Sequence, residues 1–235
     1  MKEYLNIILP LLAAGCVIGG GITLYFTYPL MAMKPAQTGP VPGTDHPPVY
    51  ALRSNRGAMY FVDTGAGWLL IDTGSNAKKI EASLPALGVA PADVKWVLLT
   101  HSDYDHVGGL PLFTDAGISM GADELELIRS GKKKLPGCTD LNAVHPLRDG
   151  EALACGDVAV KCVAAPGHTA GSMAYLVDGS FLFTGDALRH SAKGDSVHPY
   201  TKDKARAKKT IAALPADARM VLTSHYGYYP APTMR

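Results

Sequence analysis

Trp96-Val97-Leu98-Leu99-Thr100 runs without a charge into His101-Ser102-Asp103-Tyr104-Asp105-His106, and these eleven residues decide the fold. A short aliphatic and aromatic run of this kind reads as a strand buried on both faces, and a buried strand delivers the residues after it to the rim of its sheet. Loops gather at that rim, and ligands bind there in α/β proteins. Three other runs stop in the same way. VKCVAA (160–165) precedes Pro166-Gly167-His168, FLFT (181–184) precedes Gly185-Asp186, and MVLT (220–223) precedes Ser224-His225. One rim therefore collects imidazoles and carboxylates from four places, which suits a divalent metal site.

The surrounding pattern supplies the rest of the fold. Strands are expected near 49–53, 58–63, 67–72, 95–100, 117–120, 143–147, 151–155, 158–164, 173–178, 181–184 and 219–223. Helices are expected over 76–87, from about Gly108, over 122–130 and over 201–213. Ser75 or Asn76 caps the first helix, Gly88 stops it, and Pro85 interrupts its last turn. Strands grouped early and late, with helices between and after, predict an α+β fold of two packed sheets flanked by helices. The segment 131–142, with Lys132, Lys133 and Lys134, reads as a loop of the size that serves as a lid.

The chain has 235 residues, 47% hydrophobic, with a formal charge of +1. That charge argues against nucleic acid as the main partner, and the basic residues between Lys202 and Lys209 read as a solvated helix face. The domain plan is an N-terminal membrane anchor (1–33), a Pro-rich linker (34–47) and a catalytic domain (48–235). Between Tyr4 and Met33 there is no charged residue, a length sufficient for a transmembrane helix. Lys2 at the amino end favours a cytoplasmic tail with the large domain outside, in a periplasmic setting. Gly156-Asp157 reads as a hairpin turn pairing Cys155 with Val158, which places Cys162 beyond disulfide reach of Cys155.

Asp72-Thr73-Gly74, the run from Thr100 to Leu110, Pro166-Gly-His-Thr-Ala-Gly-Ser172, Thr184-Gly-Asp186 and Ser224-His225 resemble, in order, the motifs of the metallo-β-lactamase-fold superfamily. The resemblance covers nearly all of 48–235. It implies an αββα four-layer sandwich with a binuclear centre along one sheet edge. It also implies that His101, Asp103 and His168 hold one ion, that Asp105, His106 and His225 hold the other, and that Asp186 bridges them. Asp72 would support the site from behind, as readily as it would form a structural turn.

One position departs from the pattern. The superfamily motif is His-x-His-x-Asp-His, and this chain has Asp103 where the second histidine belongs. Members similar to the hydrolase domain of DNA-uptake channel proteins also carry aspartate there. A carboxylate is shorter and harder than imidazole, so Asp103 either ligates a site that also suits Mn2+ or Fe2+ or stands just behind the ligands.

The resemblance implies two Zn2+ ions and a metal-bound hydroxide, oriented by Asp105 as the catalytic residue, attacking a small ester, thioester, lactone or phosphoester. Alternatives of the same fold are an iron-dependent oxidoreductase, a phosphodiesterase or nuclease, and a non-enzymatic module with a decayed site. Asp186 at the bridging position is unlike the cysteine of the main zinc β-lactamases. Only ten residues follow His225, unlike the helical substrate domain of hydroxyacylglutathione hydrolases. Tyr104, His190, His198, Tyr200, Tyr226, Tyr228 and Tyr229 are candidates for the pocket mouth, although each reads individually as surface or packing.

Overall fold

The computed structural model describes Met33, residues 36–55 and residues 57–231. The expected anchor over 1–33 lies, but for Met33, outside these residues. Among the described residues no helix is long and apolar enough to cross a membrane. The unit Lys34–Arg235 holds two mixed sheets.

The first sheet follows chain order: β1 (Gly39–Asp45), β2 (Pro48–Ser54), β3 (Gly57–Asp63), β4 (Trp68–Ile71), β5 (Val94–Leu99), β6 (Gly117–Gly121) and β7 (His145–Leu147). The second contains β8 (Ala152–Cys155), β9 (Val158–Ala164), β10 (Met173–Val177), β11 (Phe181–Gly185), β12 (Met220–Thr223) and β13 (Tyr228–Pro230), ordered β13-β12-β11-β10-β9-β8. Pairing is parallel from β4 through β7 and between β11 and β12, and antiparallel elsewhere. Among the described residues the α-helices are α1 (Ala77–Ser83), α2 (Tyr104–Val107), α3 (Ala122–Arg129) and α4 (Lys204–Ala213).

Burial explains the layers. Tyr60, Ile71 and Leu98 of the first sheet meet Cys162, Tyr175 and Phe183 of the second in one core. On the outer face of the first sheet, Phe61, Leu70 and Leu99 pack with Ile80 of α1 and with Leu125 and Ile128 of α3. Behind the second sheet, Ala174, Leu176 and Leu182 form a smaller cluster with Leu214, the residue that caps α4. Both faces of β3, β4 and β5 are thus covered, which is why their sequences are nearly continuous apolar runs. Two buried hydroxyls tie the sheets together: Tyr60 donates to the Thr223 carbonyl at 2.8 Å, and Tyr175 to the Leu99 carbonyl at 2.6 Å.

Most predicted elements are present within a few residues, and three differ. The segment 34–47 is not a linker throughout, because Gly39–Asp45 forms the edge strand β1 against β2. Its prolines fit there, since an outer strand need not donate every amide, while Val41 and Thr44 are buried. The helix expected from Gly108 is instead the single turn α2 followed by a 3₁₀ turn at Leu110–Leu112. Gly108 must lie flat against the turn after β4, for a Cβ there would come within 2.6 Å of the Ser75 carbonyl. The helix over 76–87 is α only to Ser83 and continues as a 3₁₀ turn at Leu84–Leu87 containing Pro85. Cys155 pairs with Val158, as the hairpin predicts, and Cys138, Cys155 and Cys162 are free thiols.

Candidate metal centre

Five strands end at one rim. Asp72 follows β4, His101 to His106 follow β5, His168 follows β9, Asp186 follows β11 and His225 follows β12. The structure brings together all eight site residues expected from sequence. His101, His106, His168, Asp186, His225 and Asp72 are each at most 5% exposed.

Asp72 sets the orientation of two histidines. One oxygen accepts from the Thr100 amide at 2.8 Å, and the other lies 2.7 Å from His106 Nδ1. Thr100 Oγ1 donates its one proton to Asp72, so at 3.0 Å it accepts from Nδ1–H of His101. Both rings therefore carry hydrogen on Nδ1 and turn the Nε2 lone pair toward the shared space, as metal-binding histidines do. Asp72 itself has φ of 58°, an uncommon conformation for a residue with a side chain and one that functional sites retain.

The donors divide into two groups about Asp186. Its Oδ1 lies 3.5 Å from His106 Nε2 and 3.3 Å from His225 Nε2, and Asp105 Oδ2 lies 3.3 Å from His225 Nε2. Its Oδ2 lies 3.6 Å from His168 Nε2, and Asp103 Oδ2 lies 3.0 Å from His168 Nε2 and 3.6 Å from His101 Nε2. Zinc–nitrogen bonds of about 2.0–2.1 Å set tetrahedral ligand atoms roughly 3.3–3.4 Å apart, so these spacings suit ions placed between the donors. The buried His101 Nε2, His106 Nε2 and Asp186 Oδ1 have no hydrogen-bond partner among the described residues, as expected of atoms kept for a cation.

The local charge points the same way. Burial opposes ionisation of Asp186, but His225, His198 and His106 hold its carboxyl well below the usual range. Asp105 is likewise lowered against its burial by His225 and His106, and Asp103 by His101, His168 and Lys133. Burial works against the charged form of His106, yet Asp72 and Asp186 push it up to about 9. Burial and neighbouring His106 lower His101. Ionised oxygens and imidazole nitrogens are the donor set that borderline divalent cations prefer, and His106 must release its second proton as a cation binds.

Two contributors were not read from the sequence, and a third was read only as one of several candidates for the pocket mouth. Glu124, fully buried on α3, accepts from the amide and hydroxyl of Ser102 and, at 2.6 Å, from Thr169 Oγ1. It clamps the loops carrying His101 and His168, and only the fold reveals that a helix glutamate faces inward there. Lys133, expected only as part of a lid-sized loop, forms an ion pair with Asp103 Oδ1. Asp103 occupies the position preceding α2 where a carboxylate commonly caps the helix, but makes no capping bond. His198, read individually as surface or packing, is 1% exposed and lies 3.7 Å from Asp186 Oδ2.

A family model described as the metallo-beta-lactamase superfamily matches residues 54–225. Metallo-beta-lactamase domain-containing protein 1 of Xenopus laevis is 33% identical over 169 residues, covering 70% of this chain and 64% of that protein. Hydroxyacylglutathione hydrolase of Shewanella sp. is 27% identical, covering 76% and 61%. A Bacillus velezensis protein named "Probable polyketide biosynthesis zinc-dependent hydrolase BaeB" is 30% identical, covering 71% of each chain. The chain thus spans less than two thirds of the length of the first two relatives. Among solved structures, a metallo-beta-lactamase family protein of Thermus thermophilus superposes with a TM-score of 0.64 at 22% identity, covering 78% of this chain and 75% of that one. MEM-A1, a subclass B3 metallo-beta-lactamase from a soil metagenome library, gives 0.59 at 26% identity, covering 75% and 76%.

Proposed function

This chain belongs to the metallo-beta-lactamase superfamily, and from that premise we propose that it is a metal-dependent hydrolase, most naturally a zinc enzyme, of a small ester, thioester or lactone. One observation carries the reading: the two oxygens of Asp186 face two separate groups of nitrogen and carboxylate donors. The relatives named as a hydroxyacylglutathione hydrolase and a zinc-dependent hydrolase support acyl chemistry.

His101, His168 and Asp103 would hold one cation and Asp105, His106 and His225 the other, with Asp186 between them. Bound there, the cations supply Lewis acidity that makes water a nucleophile near neutral pH and polarises the attacked carbonyl. The protein's own groups do the rest. Asp105 is 43% exposed, so it can accept a hydrogen bond from an attacking water and aim it. A cavity of about 530 Å³ beside Asp105 is lined by Tyr104, Arg53, Asn55 and Lys79 and is large enough for the remote part of a small substrate. Arg53 and Lys79 give it a positive rim that favours a substrate with an anionic tail. The uncharged run from Tyr4 to Met33 would tether the enzyme to a bilayer, with the domain on the periplasmic side.

Metal stoichiometry, measured together with hydrolysis of an ester, thioester, lactone and phosphodiester panel, tests this reading. Two cations per chain and chelator-sensitive hydrolysis are expected. Asp105→Ala should lower kcat/KM at least about 100-fold, the range for losing a positioned acid–base group. A chain fully loaded with cations that hydrolyses none of the panel would sink the proposal, as would a chain that binds no cation.

A further inference from the structure

We propose that His198 is an additional metal donor, binding a cation together with Asp186 and His225. The inference rests on the metallohydrolase reading and extends its ligand set by one nitrogen.

His198 is held over the centre by its own small loop. After β11 the chain turns back on itself, with Arg189 and Ser196 exchanging backbone hydrogen bonds at 2.7 and 2.9 Å. Ser191 and Gly194 close the tip. His198 then reverses the chain again, its carbonyl accepting from the Thr201 amide at 3.1 Å. The loop is thus hydrogen-bonded on both sides of the imidazole. A ring placed this way, with 1% of its surface exposed, would ordinarily use its nitrogens in hydrogen bonds. Among the described residues neither nitrogen of His198 has such a partner.

What it faces is the donor cluster. Its Nε2 is 3.7 Å from Asp186 Oδ2, nearly the separation of His168 Nε2 from the same oxygen, 3.6 Å. Its ring centroid is 5.6 Å from that of His225 and 5.1 Å from that of His168. Ligand atoms of Asp186, His198 and His225 all lie within 4.8 Å of one another, as do those of the groups His101–His168–Asp186 and Asp105–His106–His225. The chemistry supplies a reason for an extra nitrogen. Asp103 replaces an imidazole with a carboxylate, and that carboxylate is shared with the Lys133 ammonium, which competes with a cation for its charge. His198 would bring the imidazoles of the binuclear centre from four to five, through the Asp186–His225 side rather than through the donor group that carries Asp103.

The test uses the whole chain and cobalt as probe. Co2+ titration followed by visible d–d absorption, with competition to fix affinities, is run on the native protein, His198→Ala and His198→Gln. The expected result is a loss of about tenfold or more in affinity for one of two cations, with a changed band shape, while the second cation's affinity stays unchanged. The metal-free thermal melt remains cooperative, lowered by lost packing in His198→Ala more than in His198→Gln. Native affinity and spectrum in a folded variant overturn the proposal. Should both variants fold poorly, X-ray absorption of the zinc-loaded native protein decides: five imidazoles per ion pair support the assignment, and four refute it. A native chain that binds two cations with only four imidazoles leaves the hydrolase reading standing, whereas one that binds none overturns both.

Discussion

Asp72 lies 34 residues before His106 in the sequence and 2.7 Å from it in the fold, and it governs which nitrogen two histidines offer. Its carboxylate accepts from three donors: the Thr100 amide, the Thr100 hydroxyl and His106 Nδ1. Asp72→Asn keeps the shape but turns an NH2 group toward one of them. Either His106 then loses the acceptor that fixes its ring, or the Thr100 amide loses its acceptor and the turn that carries His101 shifts. Metal affinity should fall about 10- to 100-fold, the usual cost of removing the group that orients a metal-bound histidine. Competition titration with a chromophoric chelator measures it, and unchanged affinity would show that Asp72 is only a turn residue. Glu124 acts on the loops in the same indirect way, through Ser102 and Thr169 rather than through any donor of the centre.

At the scale of elements, the centre depends on how closely β11 approaches β5. Gly185 ends β11 with φ of 51°, and a Cβ there would lie 2.5 Å from Thr100 Oγ1 and 2.6 Å from Thr100 Cβ. Gly185→Ala therefore forces Thr100 off Asp72 and adds the strain of a left-handed backbone. A loss of at least about 1–2 kcal/mol is expected, with weaker metal binding, by urea unfolding and Co2+ titration. A variant as stable as the native protein, with native affinity, would contradict it. The same elements show what a linear reading reaches. The apolar runs ending at His101, Asp186 and His225 were legible because a doubly covered strand must be continuously apolar and its end must face a rim. β1 was not, because its prolines suit both a linker and an edge strand, and only pairing with β2 distinguishes them. His198 was legible only as one of several candidates for the pocket mouth, because it follows no strand and belongs to no motif; its position comes from the closure of the Arg189–Ser196 loop. Lys133 was hidden for the same reason, since lid residues are placed by long-range contacts.

For the whole molecule, the core between the sheets carries two thiols, and these make global stability pH-dependent. Cys155 and Cys162 are 1% and 0% exposed. Burial pushes them up to about 11 and about 12, against an ordinary thiol value of 9.0. The sign follows from proton counting. Below pH 9 both folded and unfolded chains hold these protons, so the thiols contribute no slope. Between pH 9 and 11 the unfolded chain releases them and the folded chain does not, so rising pH favours unfolding by up to about 1.4 kcal/mol per pH unit for each thiol. Urea unfolding of the chelator-treated protein at pH 8, 9, 10 and 10.5 should show a steepening fall in stability above pH 9. Replacing the pair, as Cys155→Ala with Cys162→Ala, lowers stability at pH 8 through lost packing but removes the thiol part of that fall, mainly between about pH 9 and 10. Buried Tyr60 and Tyr175 and half-buried Tyr229, also raised above the ordinary 10.0, keep the part near and above pH 10. An equal slope in the native and doubly substituted chains would mean that the alkaline sensitivity lies elsewhere, and the thiols would then be packing groups alone.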